Sequence, residues 1–314
     1  MAWFVGAYAI VPKVAWSPAD EMLLLEEART ADGFSGWEVP FQTSLHPHDQ
    51  RWFLNNLARN ERLVVTLIPG VMQRLGNDPL FGLASSDGEG RRRAIEFART
   101  AQRTILATNR ILGRRAVQAV EIHSAPGGGR ASVPHFAESL AEIGGWDWGG
   151  AELLVEHCDA HVLGQPSAKG FLDLQGELDA ISAVNVREGH RFGVILNWAR
   201  SAIEGRDAST PLAHIGAARS QGLLRGFMFS GCSASPISRG GAWADFHLPP
   251  VAADDGHSQL TAARLTAAML ALGDPTELAV FGMKVGAAPT DTLMQRRDSI
   301  RESGRLIRQA ASIR

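Results

Sequence analysis

The chain has 314 residues, of which 45% are hydrophobic, and a formal net charge of -2. This composition supports one large hydrophobic core and excludes an overall electrostatic attraction to nucleic acid. The two cysteines, Cys158 and Cys232, lie far apart in the sequence, which argues against a disulfide framework or a thiolate zinc site. The apolar N-terminal stretch has no basic flank and is too short to span a bilayer. We therefore expect a soluble, cytoplasmic protein without membrane or nucleic-acid partners.

Strand and helix patterns alternate along the chain. Strands are predicted at residues 3–10, 34–41, 63–68, 116–123, 192–197, 223–230 and 278–284, and a further one within the stretch 152–160. Helices are predicted at about residues 18–30, 50–59, 91–112, 132–143, 175–188, 208–220, 258–272 and 290–311. Residues 69–90, rich in Gly, Pro and Asp, are predicted to form a long loop.

This alternation predicts an α/β protein with a parallel sheet. Eight strand–helix units over about 300 residues favour a closed (β/α)8 TIM barrel, a single domain over residues 1–314. A doubly wound open sheet is the main alternative, although no GxGxxG motif follows the first strand. In such a barrel the functional residues lie at the C-terminal ends of the strands.

Polar side chains are concentrated at these strand ends. The fifth strand ends in Glu156, and the alternation of side chains turns His157 to the opposite face. We predict Glu156, Lys284, Glu121 and His123 as catalytic residues. The substrate-binding residues predicted from the strand ends and following loops are Tyr8, Glu38, Asn197, Trp198, Arg200, Trp243, Asp245 and His247. Because carboxylates and amides bind hydroxyl groups and tryptophan stacks on sugar rings, this set predicts a small polyhydroxylated ligand.

Several short segments resemble those of the xylose isomerase-like TIM barrels, the sugar isomerase/epimerase superfamily. They are residues 34–40 (FSGWEVP), 153–157 (LLVEH), 193–200 (GVILNWAR), 226–231 (GFMFSG) and 245–250 (DFHLPP). The resemblance implies a TIM barrel that isomerises or epimerises a small sugar and forms a homodimer. It also implies one divalent metal, such as Mn, Mg, Co or Zn, bound from strands five to eight.

The chain departs from the metal-binding pattern that this resemblance implies. Glu156 matches the first ligand, but Asn197 stands at the aspartate position and Lys284 at the last carboxylate position. Phe227 and Phe229 stand where histidines are expected. A lysine ammonium repels a cation and phenylalanine is no ligand. We therefore predict a dismantled metal site, in which Glu156 is the one remaining ligand of the implied pattern. The alternative is a metal that has moved to Glu121, His123 and Glu156.

Three functions remain open at this point. In a sugar isomerase or epimerase, Lys284 would polarise a carbonyl or form a Schiff base, and Glu156 or Glu121 would move the proton. In a glycosidase, the paired carboxylates would come from Glu38, Glu121 and Glu156. The third function is non-catalytic sugar binding by a barrel that has lost its metal. Cleavage of DNA fits less well, because it needs a metal cluster and a basic face.

Overall fold

The computed structural model describes residues 2–12, 14–253 and 257–312. Parallel strands close into a barrel in sequential order, which confirms the predicted (β/α)8 architecture. The strands are β1 (Trp3–Val5), β2 (Phe34–Pro40), β3 (Arg62–Thr66), β4 (Val117–Ile122), β5 (Glu152–Glu156), β6 (Gly193–Asn197), β7 (Leu224–Phe229) and β8 (Val280–Met283).

Helices surround the barrel. Within the described residues they are α1 (Pro18–Arg29), α2 (Gln50–Asn55), α3 (Ile68–Leu75), α4 (Gly88–Leu112), α5 (Val133–Gly144), α6 (Leu174–Glu188), α7 (Trp198–Gly205), α8 (Thr210–Ser220), α9 (Ala262–Leu272) and α10 (Leu293–Ala311). Short 3₁₀ turns cover Ala7–Ala9 and Pro275–Glu277. None of the helices in these ranges has both the length and the apolarity needed to cross a bilayer.

Two predicted boundaries were wrong for identifiable reasons. The expected loop at residues 69–90 begins inside α3, because Pro69 occupies the first turn of a helix, where its missing N–H costs nothing. The first strand stops at Val5 rather than residue 10, and a 3₁₀ turn places Tyr8 above the strand. Helix α7 was missed altogether, since it starts directly after β6 without a loop.

The interior of the barrel has an apolar layer under a polar layer. The apolar layer is formed by Phe4, Val64, Ala119, Leu154, Ile195, Met228 and Val280. Because side chains alternate with a period of two, the next inward positions carry the polar residues Thr66, Glu121, Glu156, Asn197 and Ser230. Packing therefore places the polar layer at the C-terminal end of the barrel.

The outward face of β7 and β8 packs in the hydrophobic core beneath the helices. The Phe227 and Phe229 rings lie 4.9 Å apart, and Phe281 lies 5.8 Å from Phe229 and 5.6 Å from Trp3. Phe227 and Phe229 were therefore wrongly placed at the metal-ligand positions, because the inward-facing positions of β7 are one residue away from them. The residues of β7 that point inward are its alternate neighbours, so the phenylalanines say nothing about the barrel's interior.

Closure of the barrel depends on close contact between the first and last strands. Gly282 of β8 pairs with Phe4 of β1. A Cβ atom added at Gly282 would lie 1.9 Å from the carbonyl oxygen of Phe4, which is far inside van der Waals contact. Only glycine lets the two backbones approach this closely.

We expect Gly282→Ala to destabilise the fold by about 1–3 kcal/mol, because the new methyl group forces β1 and β8 apart. Gly216→Ala in α8 is the matched control, since its Cβ would meet nothing within 4 Å. That variant should be more stable than the wild type by about 0.5–1 kcal/mol, because alanine favours the helix. Free energies of unfolding in urea measure both, and equal values for the two variants would contradict the closure argument.

Candidate functional site

Glu156, at the end of β5, is the most densely contacted charge in the barrel. Thr66 Oγ1 donates to its Oε2 at 3.0 Å, and His123 Nε2 lies 2.6 Å from the same oxygen. Its Oε1 pairs with the Arg200 guanidinium and lies 3.5 Å from Lys284 Nζ. Burial alone would raise the pKa of Glu156, but Arg200 and Lys284 lower it well below its ordinary value. Glu156 is thus an ionised anchor, which does not suit the predicted role of general base.

Lys284 lies just beyond β8 and is fully buried. Its Nζ pairs with the carboxylate of Glu38 and lies 5.4 Å from the centroid of the Tyr8 ring. Burial would lower the pKa of Lys284, but Glu156 and Glu38 raise it well above its ordinary value. The lysine therefore stays protonated, which argues against the predicted Schiff base.

Glu121 and His123 complete the buried layer. Burial, reinforced by the charges of Glu156 and Glu38, raises the pKa of Glu121 well above 4.5. Burial also lowers the pKa of His123, against the opposing effect of Glu156. Burial therefore favours the protonated form of Glu121, and it favours a neutral imidazole at His123 that donates its Nε2 hydrogen to Glu156.

The carboxylates of Glu38, Glu121 and Glu156 lie close enough to hold a metal ion, with potential ligand atoms within 4.8 Å of one another. The surrounding cations oppose this. Lys284 Nζ is paired with Glu38 and reaches Glu156, whose Oε1 is also paired with Arg200. A divalent ion here would face two fixed positive charges at short range. The residues therefore do not fit a metal while these ion pairs persist.

A cleft of about 950 Å³ opens above this layer. Its floor is built around Asp245, from the loop after β7. Asp245 Oδ2 lies 2.5 Å from Lys169 Nζ and 3.3 Å from Arg200 Nε, and its Oδ1 lies 3.1 Å from His247 Nδ1. Burial alone would raise the pKa of Asp245, but contacts with His247, Lys169 and Arg200 lower it well below its ordinary value. Arg200 thus joins the cleft to the buried Glu156.

His247 is held in an unusual backbone conformation on this floor. Its φ of 51° and that of Trp243, 56°, lie in the left-handed region, which costs about 1–2 kcal/mol for a non-glycine residue. Burial lowers the pKa of His247 to about 3, although the charge of Asp245 opposes this. The imidazole is therefore neutral, and its Nδ1 faces Asp245 and also lies 3.4 Å from Ser230 Oγ.

The structure separates the predicted substrate-binding residues into distinct groups. The residues that line the cleft are Tyr8, Arg200, Asp245 and His247. Glu38 lies below them in the buried layer. Asn197 caps α7, since its Oδ1 accepts from the backbone N–H groups of Ala199 at 3.0 Å and Arg200 at 3.4 Å, and from Ser230 Oγ at 2.7 Å.

Neither predicted tryptophan lines the cleft. Trp198 is fully buried in the hydrophobic core, because α7 begins at this residue and turns its ring away from the barrel mouth. Trp243 is half-buried against the same core and lies under the Arg206 guanidinium. The central carbon of that guanidinium, Cζ, is 6.0 Å from the centroid of the Trp243 ring. Trp198 is therefore not available to stack on a sugar, whereas the stacking role of Trp243 stays a prediction.

Sequence reasoning also missed residues that do line the cleft. Lys169 comes from the loop between β5 and α6, and Phe246 lies between Asp245 and His247. Arg239 lines the same cleft, and its Nη2 donates to the Phe246 carbonyl at 3.2 Å. Their positions in the sequence could have identified them, because each lies in a loop that follows a barrel strand.

Solved structures with this fold include sugar-isomerase-like barrels. A proposed xylose isomerase from Rhodospirillum rubrum superposes with a TM-score of 0.61 at 10% identity, covering 98% of each chain. A proposed sugar phosphate isomerase/epimerase from Anabaena variabilis gives a TM-score of 0.58 at 13% identity, covering 99% of each chain. A family 2 AP endonuclease from Brucella melitensis gives 0.56 at 14% identity, covering 93% of this chain and 95% of the other. The fold is therefore that of the xylose isomerase-like barrels, and identities this low show the fold alone.

One relative is much closer in sequence. An uncharacterised protein of Salmonella typhimurium is 37% identical over 254 residues, which is 79% of this chain and 78% of the relative. A family model described as "Domain of unknown function (DUF4862)" matches residues 4–300. The chain therefore belongs to the DUF4862 family.

Proposed function

We propose that this protein isomerises or epimerises a small sugar or sugar derivative, by proton transfer at the C-terminal mouth of the barrel. The observation that carries the proposal is a buried set of paired charges beneath a polar cleft. Lys284, Arg200 and Lys169 face the carboxyl groups of Glu38, Glu156 and Asp245. Burying so many ionisable groups costs stability that a structural role does not require. Such clusters in a cleft are characteristic of active sites.

Tyr8 and Arg200 are suited to stabilise an oxyanion. Both line the cleft, and burial together with the charge of Glu38 raises the pKa of Tyr8, so the phenol keeps its proton. A carbonyl oxygen of the substrate would accept a hydrogen bond from Tyr8 and lie near the positive charge of Arg200. Glu156 positions Arg200, and Lys284 adds fixed positive charge below.

His247 is a neutral side chain at the cleft, and we propose that it takes the proton in place of the anchored Glu156. Its pKa of about 3 makes it a weak base in the empty cleft, so the step depends on the charge that develops on the substrate. Asp245 favours the tautomer with hydrogen on Nδ1, which leaves the Nε2 lone pair as an acceptor. Removing a proton from the carbon beside the carbonyl sends its electron pair to the carbonyl oxygen, which gives an enediolate. That negative charge raises the proton affinity of His247 during the step. Return of the proton to the neighbouring carbon gives isomerisation, provided that the hydroxyl proton on the first carbon moves to the former carbonyl oxygen. Protonation of the first carbon on its other face, by water or another donor in the cleft, gives epimerisation.

The carboxylate arrangement gives less support to glycoside cleavage. A glycosidase needs two carboxyl groups that flank a sugar bond. Here Glu38, Glu121 and Glu156 are all buried below the cleft and crowd within 4.8 Å of one another. None of the three is exposed to a sugar bound in the cleft, so the isomerase proposal is preferred.

Glu121→Gln tests the electrostatics of the buried layer. Because the folded state keeps the Glu121 proton above pH 4.5 while the unfolded chain releases it, the stabilisation is complete below pH 4.5 and is lost as pH rises towards the folded-state pKa. Glutamine cannot ionise, so the stability of Glu121→Gln relative to wild type should rise with pH above 4.5, by up to about 1.4 kcal/mol per pH unit until the folded-state pKa of Glu121 is reached. Urea unfolding at several pH values measures this difference.

Glu142→Gln, at an exposed position of α5, is the matched control and should follow the wild-type pH profile. A pH-independent difference between Glu121→Gln and wild type would mean that Glu121 is ionised in the folded protein. In that case Glu121 could not act as a neutral acid in the site.

The proposed reaction is tested by hydrogen exchange in D₂O. We expect the wild-type protein to exchange a carbon-bound hydrogen of at least one member of a panel of aldoses, ketoses and sugar acids, detected by NMR. His247→Gln should slow this exchange by about 10²–10⁴-fold, because it removes the general base. His190→Gln is the control, since His190 lies near Phe192 at the opposite end of the barrel.

Two outcomes would count against the reaction. A sugar that raises the melting temperature without any exchange would indicate the non-catalytic binding function. Unchanged exchange in His247→Gln would contradict the assignment of the base, and loss of exchange in His190→Gln would show that the assay reports general damage rather than the site.

A further inference from the structure

A second cluster of potential ligands lies outside the barrel, on the outward face of β5. His157 follows β5, Glu204 lies in α7 and His214 lies in α8. His157 Nε2 is 3.0 Å from Glu204 Oε2, and His214 Nε2 is 3.5 Å from Glu204 Oε1. The potential ligand atoms of the three residues all lie within 4.8 Å of one another. The cluster lies on the opposite face of the sheet from Glu156, so it is separate from the proposed active site.

We propose that His157, Glu204 and His214 bind a divalent transition metal of the zinc type. Two imidazoles and one carboxylate are a common ligand set for zinc with an open fourth position. Tetrahedral coordination at about 2.0–2.1 Å requires ligand atoms roughly 3.3 Å apart. His157 Nε2 lies 3.0 Å from one oxygen of Glu204 and His214 Nε2 lies 3.5 Å from the other, so the two imidazoles already approach the same carboxylate at separations of this size.

The second ring nitrogen of each histidine has a partner. His157 Nδ1 lies 2.7 Å from Glu177 Oε2, and the Ser124 hydroxyl donates to the other oxygen of Glu177. His214 Nδ1 lies 3.0 Å from Ser201 Oγ. Metal-binding histidines almost always engage the distal nitrogen in this way, because the contact fixes the ring and its tautomer. Both Nε2 atoms are thereby directed at Glu204.

The cluster is accessible from one side. His157 is fully buried, whereas the side chains of Glu204 and His214 are each 13% exposed. An ion can therefore enter past these two residues, and water can supply the fourth ligand. Without a metal, burial would lower the pKa of His157, but Glu177 and Glu204 raise it to about 10. The metal must therefore displace a proton from His157, as metals commonly do when they bind.

The position gives the ion a structural consequence. Helix α7 carries Arg200 near its start and Glu204 near its end. A metal bound to Glu204 would tie α7 to β5 through His157 and to α8 through His214. It would therefore fix the helix that delivers Arg200 to the cleft, without contacting any substrate there.

Zinc content and affinity test the proposal directly. Chelator-treated full-length protein is titrated with zinc, passed over a desalting column and measured by elemental analysis, with melting temperature as a second readout. We expect about one zinc per wild-type chain and a higher melting temperature. His214→Ala and Glu204→Gln should lose the ion, and Ser201→Ala should weaken its affinity by roughly 10–100-fold. His190→Gln, a histidine outside the cluster, should bind like the wild type.

Two results would overturn the proposal. One is wild-type protein that retains no zinc and shows no thermal shift at micromolar free zinc, which would make the cluster an ion-pair network only. The other is zinc that remains in both His214→Ala and Ser201→Ala with unchanged affinity, which would place the ion elsewhere. Glu204 also accepts from the Ala160 N–H at 2.8 Å, so if Glu204→Gln fails to fold, the other two variants still decide the question.

Discussion

The carboxylate of Glu156 is the interaction on which the rest of the barrel mouth depends. It accepts hydrogen bonds from Thr66 and His123 and forms ion pairs with Arg200 and Lys284. Each partner comes from a different part of the chain, so the carboxylate ties the strand ends together. A buried ion pair of this kind adds little net stability, but removing one member leaves an uncompensated charge that costs about 3–5 kcal/mol. The polar layer is therefore a unit whose members depend on one another.

Positive charge inside the barrel is supplied by the protein itself. Lys284 and Arg200 sit beside the glutamates where the resemblance to sugar isomerases implies a metal. Such charges are present in every folded molecule and do not depend on metal supply. Arg200 contacts Asp245 as well as Glu156, so the buried Glu156 helps to fix a positive charge at the floor of the cleft. The site would then act through preorganised side-chain charges, as electrostatic catalysis requires.

The sequence predicted the barrel well because apolar runs and helix caps repeat along the whole chain. Alternation also correctly assigned Glu156 and His157 to opposite faces of β5, since that depends on local geometry alone. The same reasoning failed for Trp198, where the strand ends and a helix begins within one residue. It could not find the contact of His157 with Glu204, because those residues meet only through tertiary packing. The pairing of Lys169 with Asp245 was invisible for the same reason.

The glycine contact between β1 and β8 has a consequence for folding. The ladder joins Phe4 and Val5 to Gly282 and Met283, residues near opposite ends of the sequence. During synthesis β1 emerges long before its partner exists, so one edge of the growing sheet stays unpaired until β8 is made. Contacts of such large sequence separation slow folding, because a long loop must close before they form. The pairing of β8 with β1 therefore closes the barrel and also removes the last unpaired strand edge, to which another chain could bind.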